Sequence, residues 1–289
     1  MKKINFIVKG LSEFTIQGYE KAAKKFNPLP TKVENCSVII TGSNSGIGKA
    51  ALETLAKKNA EVHLVCRNQS RGEAAVEDIK SKVPDANIHM HILDVSDLES
   101  ISKFVDDMRT KFSPTVLVNN AGCMVHGHSK RLSKQNFEVN TATNTIGTYL
   151  LTKACVQKLE KLERVITVSS GGMYTEALLE NYCLSKVDDV TKLEKDATQV
   201  YAKNKRQQVV FTEELGKSYP KIQFTTMHPG WSDTPAVREA MPDFHKKMEG
   251  KWRTPEQGAD TIVYLSVGRF FRIFSFMIHS FKSLVFCSH

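Results

Sequence analysis

The sequence lacks the features that identify several common classes of protein. Its six cysteines are far apart in a chain of 289 residues and form no C-x-x-C pair, so neither a zinc site nor a redox-active dithiol is indicated. No clean run of about 18 apolar residues is present, which argues against a membrane-spanning helix. The first residues show no apolar core before a small-residue cleavage site, and Glu13 and Glu20 argue against a transit peptide. We therefore expect a reducing, cytoplasmic location.

The charge balance is only modestly basic. Lysine and arginine number 40 against 31 aspartates and glutamates, and the basic residues are scattered rather than clustered. Such a distribution is typical of a solvated surface, and we expect no nucleic-acid partner. The positive excess would also suit an anionic cofactor. An apolar content of 41% is ordinary for a folded globular chain.

Short apolar runs alternate with helical stretches from residue 37 onward. The predicted strands are 38–40, 61–66, 87–93, 115–118, 164–169 and 221–227, and two of the predicted helices are 46–58 and 198–217. Strands that alternate with helices predict an α/β protein with a single Rossmann-type, doubly wound parallel sheet and helices on both faces. We expect one domain over residues 37–266, an N-terminal extension over 1–36 and a divergent apolar C-terminal tail over 267–289.

Local signals predict further boundaries and faces. Two capping boxes predict helix starts, Ser96 with Glu99 and Thr254 with Gln257, the second followed by Pro255 at N1. A long helix is predicted over about 133–161. In the third predicted strand, His89 and His91 alternate with apolar residues. We expect the two histidines to form one exposed face of that strand.

The stretch TGSNSGIG lies directly between the first predicted strand and the first predicted helix. Gly42 permits a tight turn, and Gly46 and Gly48 let the backbone approach a pyrophosphate and the helix pack on the sheet. The free N–H groups at the helix N-terminus would then face the phosphates. We therefore predict a dinucleotide site formed by Gly42, Ser45, Gly46, Ile47 and Gly48.

The residue type after the second strand indicates which dinucleotide is bound. An acidic residue there would bind a ribose 2′-hydroxyl. This chain instead has Arg67, with Arg71 one helical turn later and Lys49 just past the glycines. Because guanidinium groups bind phosphate through a planar fork, these cations favour a 2′-phosphate and predict NADP(H). The alternative interpretation is a solvated basic loop.

A second motif gives the chain a family resemblance. NNAG at residues 119–122 follows the fourth predicted strand, and together with the glycine-rich loop it resembles the short-chain dehydrogenase/reductase family over roughly residues 37–265. In that family the N-N-A-G turn stabilises the sheet and borders the cofactor. The resemblance implies cofactor contacts from Asp94 at the adenine ring and from Asn120, Ala121, Gly122, Pro229, Gly230 and Thr234.

Two tyrosine–lysine pairs have the spacing that the family uses. YCLSK contains Tyr182 and Lys186, and YAKNK contains Tyr201 and Lys205. On a helix, either spacing puts both side chains on one face. The catalytic helix must lead into a sixth strand and a Pro-Gly turn, and Tyr201 lies 28 residues before Pro229 whereas Tyr182 lies 47 before it. The segment after Tyr182 is also too charged for a buried central helix, so we assign Tyr201 and Lys205.

The serine and asparagine of the family's catalytic set have close neighbours of the same type. VSSGGM offers Ser169 and Ser170, and the second matches the family's catalytic position. NTATNTIG contains the family's Asn-x-x-Gly pattern at Asn144 and Gly147. Asn140, one turn earlier, is the alternative. We assign Ser170 and Asn144.

The resemblance implies hydride transfer between a nicotinamide and a carbonyl or alcohol of an apolar small molecule. Ser170 would hydrogen-bond the substrate oxygen, and Tyr201 would exchange the proton. Lys205 would lower the pKa of Tyr201, which is ordinarily about 10, and hold the nicotinamide ribose. Asn144 would hold a water that relays protons from Lys205. The alternative function is a non-catalytic NADPH-binding protein that acts through a partner.

Three segments outside these motifs bear on the substrate and the partners. Residues 173–197 are interpreted as an inserted loop near the active site. The segment 235–253 is where the family places a mobile lid, and its large apolar residues either cover an apolar substrate or simply pack: Met241, Phe244, Met248 and Trp252. The tail 267–289 could contact a membrane surface, and a homodimer is compatible with the family. His126 and His128 could pair on a metal, but a solvated loop is the preferred interpretation and no metal is expected.

Overall fold

A computed structural model describes residues 2–127, 132–178, 186–187, 189, 196–268 and 286–288 of the chain. The strands are β1 (Ser37–Thr41), β2 (Glu61–Cys66), β3 (Ile88–Ile92), β4 (Val116–Asn119), β5 (Arg164–Val168), β6 (Gln223–Met227) and β7 (Phe286–Ser288). The α-helices are α1 (Lys2–Glu13), α2 (Ile16–Ala23), α3 (Gly46–Lys57), α4 (Gln69–Lys82), α5 (Ser100–Lys111), α6 (Val139–Thr141), α7 (Thr148–Lys158), α8 (Ala197–Ser218), α9 (Pro235–Ala240), α10 (Pro242–Lys247) and α11 (Pro255–Val267). A π-helix (Ala142–Gly147) and a 3-10 helix (Gly171–Thr175) complete the elements.

The described strands form one sheet in the order β3-β2-β1-β4-β5-β6-β7. β1 to β6 pair in parallel, which confirms the predicted doubly wound sheet. The chain runs outward from β1 to β3 and then returns to β4 on the other side, so the crevice for a ligand lies at the carboxyl ends of β1 and β4. β7 pairs antiparallel with β6 at the sheet edge. This edge strand within the tail was not predicted, and residues 269–285 of the tail lie outside the described residues.

Burial on both faces explains why the strands read as continuous apolar runs. Every residue of β1 is buried, and its side chains alternate between the two faces. Val38 and Ile40 pack with Leu52 and Leu55 of α3 on one side. Ile39 packs with residues of α5 and α7 on the other. The two apolar layers hold the ends of β1 and β4 in place, and the glycine-rich loop and the N-N-A-G turn follow directly from those ends.

Two predicted helix starts were wrong, and one was confirmed. Ser96 does not cap a helix: its N–H and hydroxyl both donate to Oδ1 of Asp94, at 2.9 and 2.7 Å, and α5 begins four residues later. The helix predicted from 133 begins at Val139, because Asn136 has φ of +63° and the Glu138 carboxylate accepts the N–H of Thr141 as an N-cap. The last helix has the predicted capping box, with Thr254 and Gln257 bonded reciprocally.

The predicted exposed face of β3 was also wrong. His89 and His91 point toward His63 of the neighbouring strand β2. His63 is 0% exposed, and its Nδ1 lies 3.1 Å from Nε2 of His91. Phe112, which ends α5, covers this cluster with its ring centroid 4.6 Å from that of His63. Ile92 is the outward residue instead, at 50% exposure. The packing of α5 on this side of the sheet decides which face of β3 is buried.

This histidine cluster predicts a loss of stability at mildly acidic pH. Burial lowers the pKa of His63 and of His91 from 6.5 to about 4 in each case. The unfolded chain binds protons at its histidines near pH 6.5, whereas the folded chain resists protonation of these two until about pH 4. Their contribution to the stability of the folded protein is therefore fully present above pH 6.5 and is lost progressively as the pH falls toward 4. For His63 the loss is on the order of 3 kcal/mol. Urea unfolding across this range should therefore show a steep fall in the free energy of unfolding.

Two variants distinguish the effect of this cluster on stability from the effect of acid on the rest of the protein. His63→Asn should flatten the pH dependence between 6.5 and 4, although its stability at neutral pH will be lower. His126→Asn, at an exposed histidine in the loop after the N-N-A-G turn, should leave the slope unchanged. Equal slopes in wild type and His63→Asn would contradict the assignment.

Within the described part of the chain, no helix is both long and apolar enough to cross a membrane.

Candidate active site

The glycine-rich loop forms a close-fitting cradle between β1 and α3. Gly42 has φ of +64°, and a Cβ there would lie 2.9 Å from Cα of Ala121. A Cβ on Gly48 would collide with the side-chain amide of Asn120 and lie 2.9 Å from the carbonyl of Gly42. Ser45 precedes α3, and its side chain accepts no hydrogen bond from the first N–H groups of the helix. This cradle fits a pyrophosphate at the N-terminus of α3, where Gly46 and Ile47 also lie.

The corner beyond β2 carries the predicted cations. Arg67 and Arg71 are both exposed, and Asn68 caps α4 by accepting the N–H of Arg71 at 2.9 Å. Lys49 forms an ion pair with Asp78 at 2.7 Å, which partly neutralises its charge. The sequence analysis had counted Lys49 as a third cation for the phosphate, and this ion pair argues against that role. Two arginines at the carboxyl end of β2 are in the position for a ribose phosphate.

Asp94 lies half-buried in the turn after β3. Its Oδ1 accepts both hydrogen bonds from Ser96, which fixes the carboxylate at the edge of the crevice. Asp94 follows the end of β3 by two residues, and Arg67 directly follows the end of β2, the strand paired with it. The acidic side chain and the basic corner therefore border the same crevice.

The N-N-A-G turn ties the ends of β1 and β4 together. Nδ2 of Asn120 donates to the carbonyls of Thr41 and Gly42, at 2.8 and 3.1 Å. The hydroxyl of Thr41 in turn accepts the N–H groups of Asn120 and Ala121, each at 3.0 Å. Gly122 lies beside the side chains of Asn144 and Lys205. The turn thus connects the dinucleotide cradle to the proposed catalytic residues.

Asn140 and Asn144 both hold the loop that follows this turn. Asn144 accepts the N–H of Cys123 at 2.9 Å and donates to its carbonyl at 2.8 Å. Asn140 makes the same pair of bonds to Val125, at 2.7 and 3.1 Å. Asn144 differs because it lies in the π-helix, and its main-chain carbonyl accepts a hydrogen bond from Gln208 at 2.6 Å. Widened turns of this kind often mark functional sites.

Ser170, Tyr201 and Lys205 lie together at the carboxyl end of β5. Ser170 lies close enough to the phenol of Tyr201 to affect its pKa, and Nζ of Lys205 lies 5.4 Å from the centroid of the Tyr201 ring. The neighbouring Ser169 has a different role, since its hydroxyl donates to the main-chain carbonyl of Lys205 at 2.8 Å. Tyr182 lies outside the described residues.

Burial governs the ionisation of both catalytic candidates. It raises the pKa of Tyr201 to about 12, against a smaller opposing effect of Ser170. It lowers the pKa of Lys205 to about 8. In the cofactor-free chain the phenol is therefore protonated at neutral pH and able to donate. With a pKa of about 8, Lys205 is mostly charged at neutral pH. Its Nζ donates to the carbonyl of Val168 at 2.7 Å and to Oε1 of Gln208 at 3.0 Å.

The Pro-Gly turn after β6 faces the glycine-rich loop. Gly230 has φ of +79°, and a Cβ on it would overlap the guanidinium of Arg253. Thr234 caps α9 by accepting the N–H of Val237 at 3.3 Å. A Cβ on Gly46 would lie 3.2 Å from the methyl group of Thr234. Thr234 therefore lies across the crevice from the start of α3.

The N-terminal extension packs directly behind the proposed catalytic serine. Gly171, the residue after Ser170, donates its N–H to Nδ1 of His228 at 3.1 Å. A Cβ on Gly171 would lie 3.0 Å from the ring of Phe14 and 3.2 Å from that of Phe6. These contacts were missed by the sequence analysis. The signal that could have revealed them is the four-residue spacing of Phe6 and Gly10 in α1 and of Phe14 just after it.

Arg253 fixes this extension to the Pro-Gly turn. Its guanidinium donates to the carbonyls of Glu13 at 2.6 Å, Thr15 at 3.3 Å and Pro229 at 3.2 Å. The residue is only 4% exposed, and its charge is adjacent to the C-terminal end of α1, where the helix dipole favours a cation. Tyr19 adds a cation–π contact at 5.4 Å. A single buried side chain thus joins the N-terminal extension to the turn after β6.

The aromatic residues of the predicted lid pack against one another. Phe244 lies between Trp231 and Trp252, with ring centroids 5.3 and 5.5 Å apart. Met248 is 5% exposed. Met241, just before α10, is only half-buried. Three of the four predicted lid residues are therefore packed, as the alternative interpretation expected: Phe244, Met248 and Trp252.

The loop histidines show no metal site in the described ranges. His126 is exposed, and His128 lies outside the described residues. Across residues 2–127, 132–178 and 196–268, no group of three or more histidine, cysteine or acidic side chains is placed to hold a metal ion.

A doubly wound sheet with a glycine-rich loop after β1 and a tyrosine–lysine pair beside the end of β5 is the arrangement of a dehydrogenase/reductase. A family model described as short chain dehydrogenase matches residues 37–244, and the chain belongs to this family. It is 45% identical over 266 residues to dehydrogenase/reductase SDR family member 12 of Bos taurus, which covers 91% of this chain and 82% of the relative. Retinol dehydrogenase 11 of Mus musculus is 30% identical over 252 residues, covering 83% of this chain and 74% of the relative.

Solved structures show the same fold at lower identity. A short chain dehydrogenase from Salmonella enterica serovar Typhi superposes with a TM-score of 0.67 at 19% identity, covering 84% of this chain and 94% of the other. A chain described as a short chain dehydrogenase from Escherichia coli CFT073, complexed with NADPH, superposes with a TM-score of 0.66 at 19% identity, covering 83% and 94%.

Proposed function

We propose that this protein is an NADP(H)-dependent oxidoreductase that interconverts a carbonyl and an alcohol on an apolar small molecule, with Tyr201 as the general acid and base. The observation that carries the proposal is the placement of Tyr201 beside Ser170, with the buried Lys205 one helical turn away. A bare glycine-rich loop would support nucleotide binding only. The additional proton donor, serine and lysine are what carbonyl reduction requires.

The residues divide the work between binding and proton transfer. The bound nicotinamide supplies the hydride, and the protein orients it. Ser170 donates a hydrogen bond to the substrate oxygen, and Tyr201 gives its proton to that oxygen as negative charge develops. Lys205 stabilises the phenolate left behind, since an ammonium beside a phenol favours its charged form. In the reverse direction the same phenolate takes the proton from the alcohol.

The basic corner supports NADP(H) over NAD(H). Arg67 and Arg71 are exposed basic side chains after β2, and no acidic side chain stands at the position of Arg67 to accept a ribose 2′-hydroxyl. A structural neighbour from Escherichia coli was solved with NADPH. Both observations support a bound 2′-phosphate at this corner.

Arg67→Ala should raise the KM for NADPH by about 10- to 100-fold, because a charge-assisted hydrogen bond to phosphate contributes about 1.5–3 kcal/mol. The KM for NADH should change little, since NADH carries no 2′-phosphate. Initial rates with each cofactor measure both values on one preparation, so NADH serves as the control. Equal changes for the two cofactors would show that Arg67 does not bind the phosphate.

Two observations support an apolar substrate. The segment that follows Ser170 carries exposed large apolar side chains beside the active site, Tyr174 at 38% and Leu178 at 44%. Relatives at 30% identity are named retinol dehydrogenases. NADPH oxidation should therefore be screened with retinal, a ketosteroid and a quinone. NADPH binding without turnover of any of these would favour a non-catalytic binding protein, the alternative function considered from the sequence.

A further inference from the structure

Gln208 lies one helical turn beyond Lys205 on α8 and is 0% exposed. Its Oε1 accepts a hydrogen bond from Nζ of Lys205 at 3.0 Å, and its Nε2 donates to the main-chain carbonyl of Asn144 at 2.6 Å. The orientation of the amide follows from its partners. An ammonium can only donate and a carbonyl can only accept, so the oxygen must face Lys205 and the nitrogen must face Asn144.

We propose that Gln208 is a positioning residue of the active site, and that its side chain fills the place between Lys205 and Asn144 in which the family resemblance implies a proton-relaying water. The proposal rests on the proposed function, because it assigns Lys205 its role beside Tyr201. It differs from the sequence-based expectation in one respect. A fixed amide takes the place of an exchangeable water at this end of the relay.

The bridge restricts what Lys205 can do. An ammonium has three N–H donors, and two of them are used by the carbonyl of Val168 and by Gln208. One donor is left for the side of the active site that holds Tyr201. An amide in its ordinary tautomer does not pass a proton from its oxygen to its nitrogen, so the route from Lys205 toward Asn144 is closed. Proton exchange at Lys205 is thereby confined to the side of the phenol.

The bridge also keeps Lys205 charged in a buried site. Burial alone lowers the pKa of this amine. Each acceptor that faces the ammonium stabilises the charged form and opposes that effect. Removing the acceptor should therefore lower the pKa of Lys205 further, and the alkaline limit of activity should move to lower pH with it.

The competing explanation is that Gln208 only stabilises the fold, and the neighbouring Gln207 provides a control for it. Gln207, the preceding residue, also links α8 to the π-helix: its Oε1 accepts the hydroxyl of Thr145 at 2.9 Å and Nδ2 of Asn204 at 3.3 Å. A substitution at Gln207 removes an amide that joins the same two elements. It should affect the stability of the fold without affecting the ionisation of Lys205.

The test compares Gln208→Met, Gln208→Ala and Gln207→Met. Methionine has nearly the length of glutamine but no amide, so Gln208→Met should lower the pKa of Lys205 by about one unit, the equivalent of one hydrogen bond to a charged group. NMR titration of 15N-lysine-labelled, cofactor-free protein measures this directly. The pH profile of kcat for NADPH-dependent carbonyl reduction should shift by the same amount, with a smaller change in the KM for NADPH.

Gln208→Ala tests the idea of replacement by water. Truncation leaves a polar space between Lys205 and the Asn144 carbonyl, where a water would find at least two partners. We therefore expect the Lys205 pKa and the pH profile of Gln208→Ala to lie closer to wild type than those of Gln208→Met. The Gln207→Met control should match wild type in both.

The inference fails if Gln208→Met titrates and turns over like wild type, or if Gln207→Met shifts the Lys205 pKa equally. If Gln208→Met does not fold, Gln208→Leu provides the same loss of the amide. Failure of this inference is distinct from failure of the proposed function, because the latter would appear as unchanged turnover in Tyr201→Phe.

Discussion

Tyr201→Phe should reduce carbonyl turnover by about a thousandfold while NADPH binding is retained. The substitution removes only the phenolic oxygen near Ser170, and it leaves the half-buried ring in place on α8. Hydride transfer to the carbonyl would then proceed without a proton donor for the developing alkoxide. Steady-state kcat measures the loss, and fluorescence titration with NADPH measures binding.

Two further tyrosine variants define the specificity of this result. Tyr219→Phe alters a half-buried tyrosine at the C-terminal end of the same helix and should leave kcat unchanged. Tyr182→Phe should also leave kcat unchanged, because the sequence assigns Tyr182 to the inserted loop. Loss of turnover in Tyr182→Phe but not in Tyr201→Phe would show that the wrong tyrosine–lysine pair was assigned.

Arg253→Ala should destabilise the protein by about 3–5 kcal/mol. The guanidinium supplies hydrogen bonds to three main-chain carbonyls, and its loss leaves those buried acceptors unpaired and a cavity behind Gly230. The same change releases the N-terminal extension from the Pro-Gly turn. We therefore also expect a higher KM for NADPH. Urea unfolding followed by circular dichroism measures the first effect, and initial rates measure the second.

Arg238→Ala is the matched control for Arg253→Ala. Arg238 also forms two charge-assisted hydrogen bonds, to Asp233 at 2.7 Å each, but its side chain is 60% exposed. An exposed ion pair contributes at most about 1 kcal/mol, so this variant should unfold nearly like wild type. Equal destabilisation by the two substitutions would contradict the role given to burial at Arg253.

The extension matters for how the protein is prepared. The family match begins at residue 37, and a chain shortened to that point would lose Phe14 and the carbonyls of Glu13 and Thr15 that Arg253 binds. Gly171 would lose the ring that packs on its Cα, next to Ser170. Activity measurements should therefore use the full chain.

Some features of the fold could be read from short stretches because their physical causes are local. β2 was predicted at 61–66 and spans Glu61–Cys66, since a strand buried on both faces needs a continuous apolar run. The glycine-rich loop could be identified because Gly42 adopts a positive φ that favours glycine and Gly48 has no room for a Cβ beside Asn120. The capping box at Thr254 involves side chains only three residues apart.

Other features depended on contacts between distant parts of the chain. The histidines of β3 are covered because Phe112 packs over them from the end of α5. Gln208 looks like an ordinary polar helix residue until α8 places it beside the carbonyl of Asn144. None of these partners could be inferred from spacing alone.

The sequence by itself determined the doubly wound sheet and the glycine-rich turn after β1, because hydrophobic periodicity and glycine geometry act within a few residues of each other. The family followed from the resemblance of the TGSNSGIG and NNAG motifs. The tertiary structure decided which polar groups became buried and what they bonded to. Only the folded chain brings Arg253 to the end of α1 and Gln208 to Asn144. The physical reason is that a buried donor or acceptor must be satisfied by whatever group the packing brings within reach, wherever that group lies in the sequence.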